Sequence, residues 1–145
     1  MTKLARERLC LGIKGITASE AALRWTIDYV KQREMFGQKL ADMQNTQFVL
    51  AELGAEVSQG RIMVDWGIAR FLDGCLSAVD AAKIKLLITE LNGRVVDQCL
   101  QFFGGYGYMT EYPISQAYVD ARISRIAGGA NEVMKQIIAR DLFKN

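Results

Sequence analysis

The stretch SAVDAAKIKLLITELNGRVVDQCLQFF runs from Ser77 to Phe103 and indicates the fold class most clearly. Its apolar residues recur at the three- and four-residue spacing of a helix, at Ile84, Ile88, Leu91, Val95, Cys99 and Phe102. Ser77 and Asp80 resemble a capping box in which Asp stands in for the usual Glu, so we expect the helix to begin there. The stretch therefore predicts one long helix with an apolar stripe.

Two long helices are predicted before this one. They span about residues 5–31 and 45–72, and each carries an apolar stripe of the same period. Gly12 and Gly15 lower the helix propensity of the first and indicate close packing against a neighbour. Asp73-Gly74 is expected to end the second, because glycine is the usual left-handed residue after a helix.

Two shorter helices are predicted after the long stretch, over about residues 114–123 and 131–143. The loop GGYGYMTEYP precedes the first, and the turn AGGA leads into the second with Asn131 as its expected N-cap. No segment alternates apolar and polar residues as a useful strand would. The prediction is an all-α, up-and-down helical bundle that forms a single domain over residues 1–145.

Composition excludes several classes of function. The net charge is +2 with scattered basic residues, so nucleic acid is not an expected partner, and no run of about 18 apolar residues suits a membrane span. Histidine is absent, which removes Ser-His-Asp and Cys-His nucleophile systems and most zinc sites. We therefore expect no metal site, and any catalysis must rest on other side chains or on a bound cofactor.

The cysteines Cys10, Cys75 and Cys99 are odd in number and far apart. Without a C-x-x-C spacing, we interpret them as buried, reduced thiols of an intracellular protein. The expected location is the cytoplasm, or the mitochondrial matrix in a eukaryote.

Two loops have the composition of binding sites. The backbone amides of residues 128–132 are expected to point outward, where they can bind an anion or a carbonyl oxygen. A tight turn between two helices explains the same glycines, and both interpretations stay open from the residues alone. Arg33 likewise suits either the end of a helix or a phosphate clamp.

Three segments taken together resemble the C-terminal helical domain of the acyl-CoA dehydrogenases. They are YVKQREMFGQKLADMQNTQ, QCLQFFGGYGYMTEYPISQAYVDARISRI and GGANEVMKQIIARDL, in the family's order and spacing. The resemblance implies the last domain of a three-domain subunit that carries FAD and desaturates acyl-CoA thioesters between the α- and β-carbons. It also implies a homo-oligomer, a dimer of dimers, with electron-transferring flavoprotein as the acceptor.

The resemblance implies a set of FAD contacts. Arg33 and Gln44 match a pair that reaches FAD across a subunit contact, with Arg33 at its pyrophosphate. The loop that lines the adenine and its linkage matches Gln101, Phe102, Phe103, Gly104 and Gly105. A further contact at the start of the last helix matches Ala130, Asn131 and Glu132, although the family commonly has threonine at position 130.

The resemblance also implies a catalytic base. Many members carry a glutamate just before the second glycine of the last turn, where this chain has Gly128. Long-chain and isovaleryl-type members instead carry it early in the first helix before Arg-Leu, which matches Glu7 in ARERL. Arg8 is then expected to shape the substrate side of the pocket, with Gly128 and Gly129 against the thioester. The residues alone would make Glu7 an acid of the first helical turn.

Two other readings remain at this point. The chain by itself is an inactive helical oligomerisation module, or the parent enzyme is an acyl-CoA oxidase in which oxygen takes the electrons. Within the dehydrogenase reading, Ala127 stands where many straight-chain members have tyrosine. Its small side chain implies room for a branched acyl chain.

Overall fold

The computed structural model describes residues 2–144, which form five α-helices and one very short hairpin. The helices are α1 (Thr2–Gln32), α2 (Gln44–Leu72), α3 (Ala78–Phe103), α4 (Pro113–Ser124) and α5 (Asn131–Leu142). The strands β1 (Glu34–Met35) and β2 (Gln38–Lys39) pair antiparallel between α1 and α2. The predicted all-α fold is confirmed, and each helix begins and ends within three residues of its predicted position.

Helix α3 is the central helix of the bundle. Its N-cap is Ser77, as predicted, and the Ser77 hydroxyl accepts a hydrogen bond of 2.9 Å from the Asp80 amide. At the C-terminal end of α3 the predicted apolar stripe is wrong by one residue, because Phe103 is buried and Phe102 is only partly buried. Phe103 stacks on Tyr29 with ring centroids 4.3 Å apart, which draws it into the core.

The helices run up and down, as predicted. Gly12 lies against Ile84 near the start of α1 and α3, and Tyr29 lies against Phe103 near their ends, so these two helices are parallel. Helix α2 runs the opposite way beside them. Its Gly67 also contacts Ile84, whereas its earlier residues lie beside later parts of α3.

Glycines allow the helices to approach closely. A β-carbon at Gly12 would lie 2.6 Å from Ile84 Cγ2, and one at Gly15 would lie 3.1 Å from Ile88 Cγ2. The close packing predicted for α1 is therefore confirmed. The predicted end of α2 is confirmed too, since Gly74 has a φ of +70°.

The prediction of three buried thiols is wrong for two of them. All three cysteines are free, but only Cys99 is buried, whereas Cys10 and Cys75 are exposed. Burial raises the pKa of the Cys99 thiol. Within residues 2–144, no helix has both the length and the apolar character that crossing a bilayer requires.

Candidate functional site

The predicted site residues lie in two groups at opposite ends of α1. Glu7 and Arg8 belong to its second turn, next to the turn between α4 and α5, and Arg33 follows its last residue. An α-helix rises about 1.5 Å per residue, so Glu7 and Arg33 are about 39 Å apart along the axis. We call the region of Glu7, Arg8 and the α4–α5 turn the turn site. We call the region of Arg33 and residues 101–105 the groove.

The turn site is built on left-handed backbone. Gly128 has a φ of +65° and Gly129 a φ of +95°, conformations that glycine adopts at little cost. A β-carbon at Gly128 would lie 2.6 Å from Leu11 Cδ1. Leu11 is one helical turn after Glu7, so the turn lies against the same face of α1 that carries Glu7.

Glu7 and Arg8 differ sharply in their surroundings. Glu7 is exposed, and no hydrogen bond or ion pair joins it to another residue in the described range 2–144. Arg8 is only 5% exposed, and its Nε has no hydrogen-bond partner in that same range. The two neighbours therefore present one free carboxylate outward and one cation inward.

A second buried cation beside the turn is Lys85, a residue that the sequence did not suggest for the site. Lys85 is fully buried on α3, and burial lowers the pKa of its ammonium. Glu132 and Glu90 oppose that change in the pKa, and the positive charge of Arg8 adds to it. Lys85 Nζ donates to Asn131 Oδ1 at 2.6 Å and to the Arg125 carbonyl at 3.2 Å.

Asn131 is therefore not the N-cap that the sequence predicted. The cap residue is Ala130, and no side chain caps the helix there. The Asn131 side chain is buried instead, where its Nδ2 donates to Glu90 Oε1 at 2.6 Å and to Thr89 Oγ1 at 3.0 Å. Hydrogen bonds to side chains of α3 hold the Asn131 carboxamide in the core, so it does not cap α5.

The outward amides of this turn are fewer than predicted. The Asn131 amide donates to the Arg125 carbonyl at 3.0 Å and so is already used. In the described part of the chain, the amides of Gly128, Gly129, Ala130 and Glu132 donate no hydrogen bond. They lie at the N-terminus of α5, where the helix dipole favours negative charge or a polarised oxygen.

The groove brings Arg33 together with the loop that the resemblance places at the adenine. It has a volume of about 680 Å³ and is lined by Arg33, Gln101, Phe102, Phe103, Gly104, Gly105 and neighbouring residues. The Arg33 guanidinium carbon lies 5.8 Å from the ring centroid of Tyr106. Gly104 has a φ of +56°, and a β-carbon there or at Gly105 would meet no atom within 4 Å. An open groove with a cation and aromatic faces suits a nucleotide with its phosphates.

Gln44 does not line this groove. It is the first residue of α2 and is exposed. Ala130, Asn131 and Glu132 lie at the other end of the bundle, in the turn site.

The sequence predicted no role for Phe36, although it belongs to an R-x-x-F-G motif in the segment YVKQREMFGQKLADMQNTQ, which carries the family resemblance. Phe36 has a φ of +54°, a costly value for a bulky side chain, and is 89% exposed at the tip of the hairpin. The motif itself was the signal that could have drawn attention to it.

The comparisons with known proteins agree on one family. The family model described as "Acyl-CoA dehydrogenase, C-terminal domain" matches residues 1–143. A long-chain specific acyl-CoA dehydrogenase of mitochondria from Sus scrofa is 42% identical over 142 residues, which are 98% of this chain and 33% of that protein. An isovaleryl-CoA dehydrogenase of mitochondria from Oryza sativa subsp. japonica is 35% identical over 145 residues, 99% of this chain and 35% of that protein.

A solved structure agrees with these relatives. The crystal structure of an acyl-CoA dehydrogenase from Geobacillus kaustophilus superposes with a TM-score of 0.95 at 42% identity. The match covers 98% of this chain and 37% of the other. The chain thus spans about a third of the length of the curated relatives it matches.

Proposed function

The chain belongs to the acyl-CoA dehydrogenase family, and on that premise we propose that the protein carrying it is a FAD-dependent dehydrogenase of acyl-CoA thioesters. The reaction removes a proton from the α-carbon and a hydrogen with its electron pair from the β-carbon, leaving a trans-2-enoyl thioester. FAD, when bound, supplies the acceptor for that electron pair. The chain's own residues must supply a base and a site for the thioester oxygen.

The observation that carries this proposal is the relation between the turn and α1. Gly128 offers no side chain, yet its backbone lies against Leu11, one turn from the free carboxylate of Glu7. Glu7 is therefore the base in our proposal, taking the α-proton beside the turn. Exclusion of water from Glu7 when the thioester binds would strengthen its action as a base.

The thioester oxygen is held by backbone amides. The amides of Gly128 and Gly129 have no partner in residues 2–144 and lie beside the N-terminus of α5. As the α-proton leaves, negative charge grows on that oxygen, and preformed donors stabilise it without reorganisation. Arg8 follows Glu7 in the sequence and is buried, and in our proposal its cation shapes the substrate side of this site.

The groove holds the adenine end of FAD in this proposal. Arg33 pairs with the pyrophosphate, Gln44 reaches the same cofactor, and residues 101–105 line the adenine. The remaining contacts are those of Ala130, Asn131 and Glu132 at the turn site. Since the two sites are about 39 Å apart along one chain, a single extended FAD joins sites on two different chains.

That arrangement supports a homo-oligomer in our proposal, and so does the surface of the bundle. Large apolar side chains are exposed on α2 and α3, among them Ile62, Trp66 and Leu87. Exposed apolar surface of this kind is typical of subunit contacts. We propose a dimer of dimers, with electron-transferring flavoprotein as electron acceptor, in the cytoplasm or the mitochondrial matrix.

The test is the flavin spectrum of the whole protein with a panel of acyl-CoA thioesters. We expect anaerobic addition of at least one thioester to bleach the flavin band and to yield the enoyl product. A matched set of saturated free acids serves as the control and should leave the band unchanged. Absence of bleaching with every thioester would contradict the proposed function.

A further inference from the structure

The turn between α4 and α5 is attached to α3 at both of its ends. Arg125 Nε lies 3.2 Å from Glu90 Oε2, and the Arg125 carbonyl accepts from Lys85 Nζ at 3.2 Å. Asn131 accepts from Lys85 Nζ at 2.6 Å and donates to Glu90 Oε1 at 2.6 Å. These four residues form a closed ring, which we call the turn clamp.

The unpaired amides lie between the two clamped ends. Gly128 and Gly129 are left-handed and would have wide conformational freedom in an unrestrained loop. The turn clamp removes that freedom from outside, because residues 125 and 131 are both tied to one rigid helix. The positions of the intervening amides are thereby set by α3.

The chemistry of Lys85 supports a role beyond packing. A fully buried ammonium is costly unless its donors are paired. A methionine would fill similar volume without that cost, so what lysine adds at this position is its two bonds to the turn. Arg125 also packs closely against α3. Its guanidinium lies on Gly93, and a side chain at position 93 would collide with this guanidinium.

We propose that Lys85 and Glu90 are positioning residues that hold the Gly128 and Gly129 amides where the thioester oxygen binds. This inference rests on the proposed function. Both residues act through Arg125 and Asn131 and contact neither substrate nor cofactor. Loosening them should therefore weaken stabilisation of the developing charge more than it weakens substrate binding.

The first variant is Lys85→Met in the whole, FAD-loaded protein. Misplacing a catalytic donor by about 1 Å costs up to about a hundredfold in rate, so we expect flavin reduction at saturating acyl-CoA to fall at least about tenfold. The substrate concentration for half-maximal rate should change less than about threefold, since the lost interaction is made in the transition state. Lys83→Met, on the same helix and outside the ring, is the control and should keep the wild-type rate.

A second readout does not depend on activity. In Lys85→Met, amide hydrogen exchange over residues 125–134 should be faster than in wild type, while exchange over α2 stays unchanged. The carbonyl stretch of a bound enoyl-CoA should also return toward its frequency in water. If the wild-type protein reduces no flavin, the proposed function fails, yet the exchange measurement still tests the turn clamp.

Glu90→Ala is the second variant, which decides the matter where Lys85→Met fails to fold. The Glu90 side chain is 45% exposed, so its removal leaves no buried cavity. Asp97→Ala, an exposed carboxylate on the same helix, is its control. Faster amide exchange and slower flavin reduction in Glu90→Ala, but not in Asp97→Ala, would support the inference. Wild-type exchange over residues 125–134 in a folded variant of either position would overturn it.

Discussion

Gly128 lies against Leu11, and a side chain at position 128 would require Leu11 to move. A β-carbon at position 128 would lie 2.6 Å from Leu11 Cδ1, and its φ of +65° disfavours any residue but glycine. The position where the family resemblance would put a base in many members is thus crowded by α1 itself. Glu7 lies on the same helix, one turn before Leu11. The absence of a carboxylate at position 128 and the presence of one at position 7 therefore belong to one packing arrangement.

The close approach of α1 and α3 can be tested with paired glycine variants. Gly12→Ala should destabilise the 145-residue chain by about 1–2 kcal/mol, because the added methyl meets a methyl of fully buried Ile84 at 2.6 Å. Gly54→Ala is the matched control, since its methyl would lie 3.9 Å from Leu23. There the gain in helix propensity should stabilise the chain by about 0.5–1 kcal/mol. Urea unfolding measures both, and two changes of the same sign would contradict the packing described.

An ion pair between α1 and α2 predicts a dependence on pH. Arg61 donates to both Glu20 oxygens, at 2.7 Å and 2.6 Å, and this hydrogen bonding lowers the pKa of Glu20. The stabilisation is complete above the ordinary pKa of a glutamate and is lost as the pH falls through the lowered one. Both side chains are about a third exposed, so Arg61→Gln should cost only about 0.5–1 kcal/mol at pH 7.

That cost should shrink when unfolding is measured at pH 3. Arg70→Gln, on the same helix, is the control, because Arg70 pairs with no carboxylate in residues 2–144. Its effect should not depend on pH. An Arg61→Gln penalty that is equal at both pH values would show that the pair contributes no stability through ionisation of Glu20.

The sequence predicted the helices well because their signals are local. The apolar period of α3, the Ser77 cap and the glycines of α1 each act over a few residues, and each is found in the structure. The role of Asn131 was predicted wrongly because it depends on Lys85, 46 residues earlier in the chain. A cap preference cannot anticipate a buried lysine that competes for the same carboxamide.

The site was predictable only as separate segments. Arg33 and residues 101–105 share a groove because α1 and α3 are parallel, and no local pattern indicates which helices lie side by side. Lys85 did leave a signal, since Lys85, Thr89 and Asn92 form a polar line on the otherwise apolar buried face of α3. Cys10 was predicted to be buried from the number and spacing of the cysteines, although it falls outside the buried face of α1.

The 145-residue chain should purify without flavin. Its proposed FAD contacts lie in two sites about 39 Å apart, too distant for one chain to hold the cofactor at both ends. Absorbance in the flavin band after gel filtration is the measurement, with the whole protein as control. Retention of about one flavin per chain would contradict this arrangement.

Substrate shape is expected to follow from Ala127. Its small side chain precedes the turn where we propose that the thioester binds, so the whole protein should accept thioesters that are branched at the β- or γ-carbon. Ala127→Tyr should lower the rate with a branched thioester more than with a straight one of equal carbon number. Equal rates for branched and straight thioesters in both proteins, at saturating concentration, would refute the expectation.

A carboxylate returned to the turn should restore part of the activity of a protein that lacks the base. In a Glu7→Gln background, Gly128→Glu would approach the same α-proton from the other side. Rescue should be incomplete, because Leu11 must move and a left-handed glutamate costs about 1–2 kcal/mol. Flavin reduction in the double variant that is no faster than in Glu7→Gln would show that position 128 does not face the α-carbon.

The role of Glu7 as the base is tested most directly by Glu7→Gln in the whole protein. Glutamine keeps the shape of the side chain but cannot accept the α-proton. A positioned base contributes about two to four orders of magnitude in rate, so stopped-flow flavin reduction by acyl-CoA should slow by about that factor. FAD content should be unchanged, and Glu52→Gln, an exposed acid on α2, should match wild type. A near-normal reduction rate in Glu7→Gln would contradict the account, and Glu7 would then be only an acid in an early turn of α1.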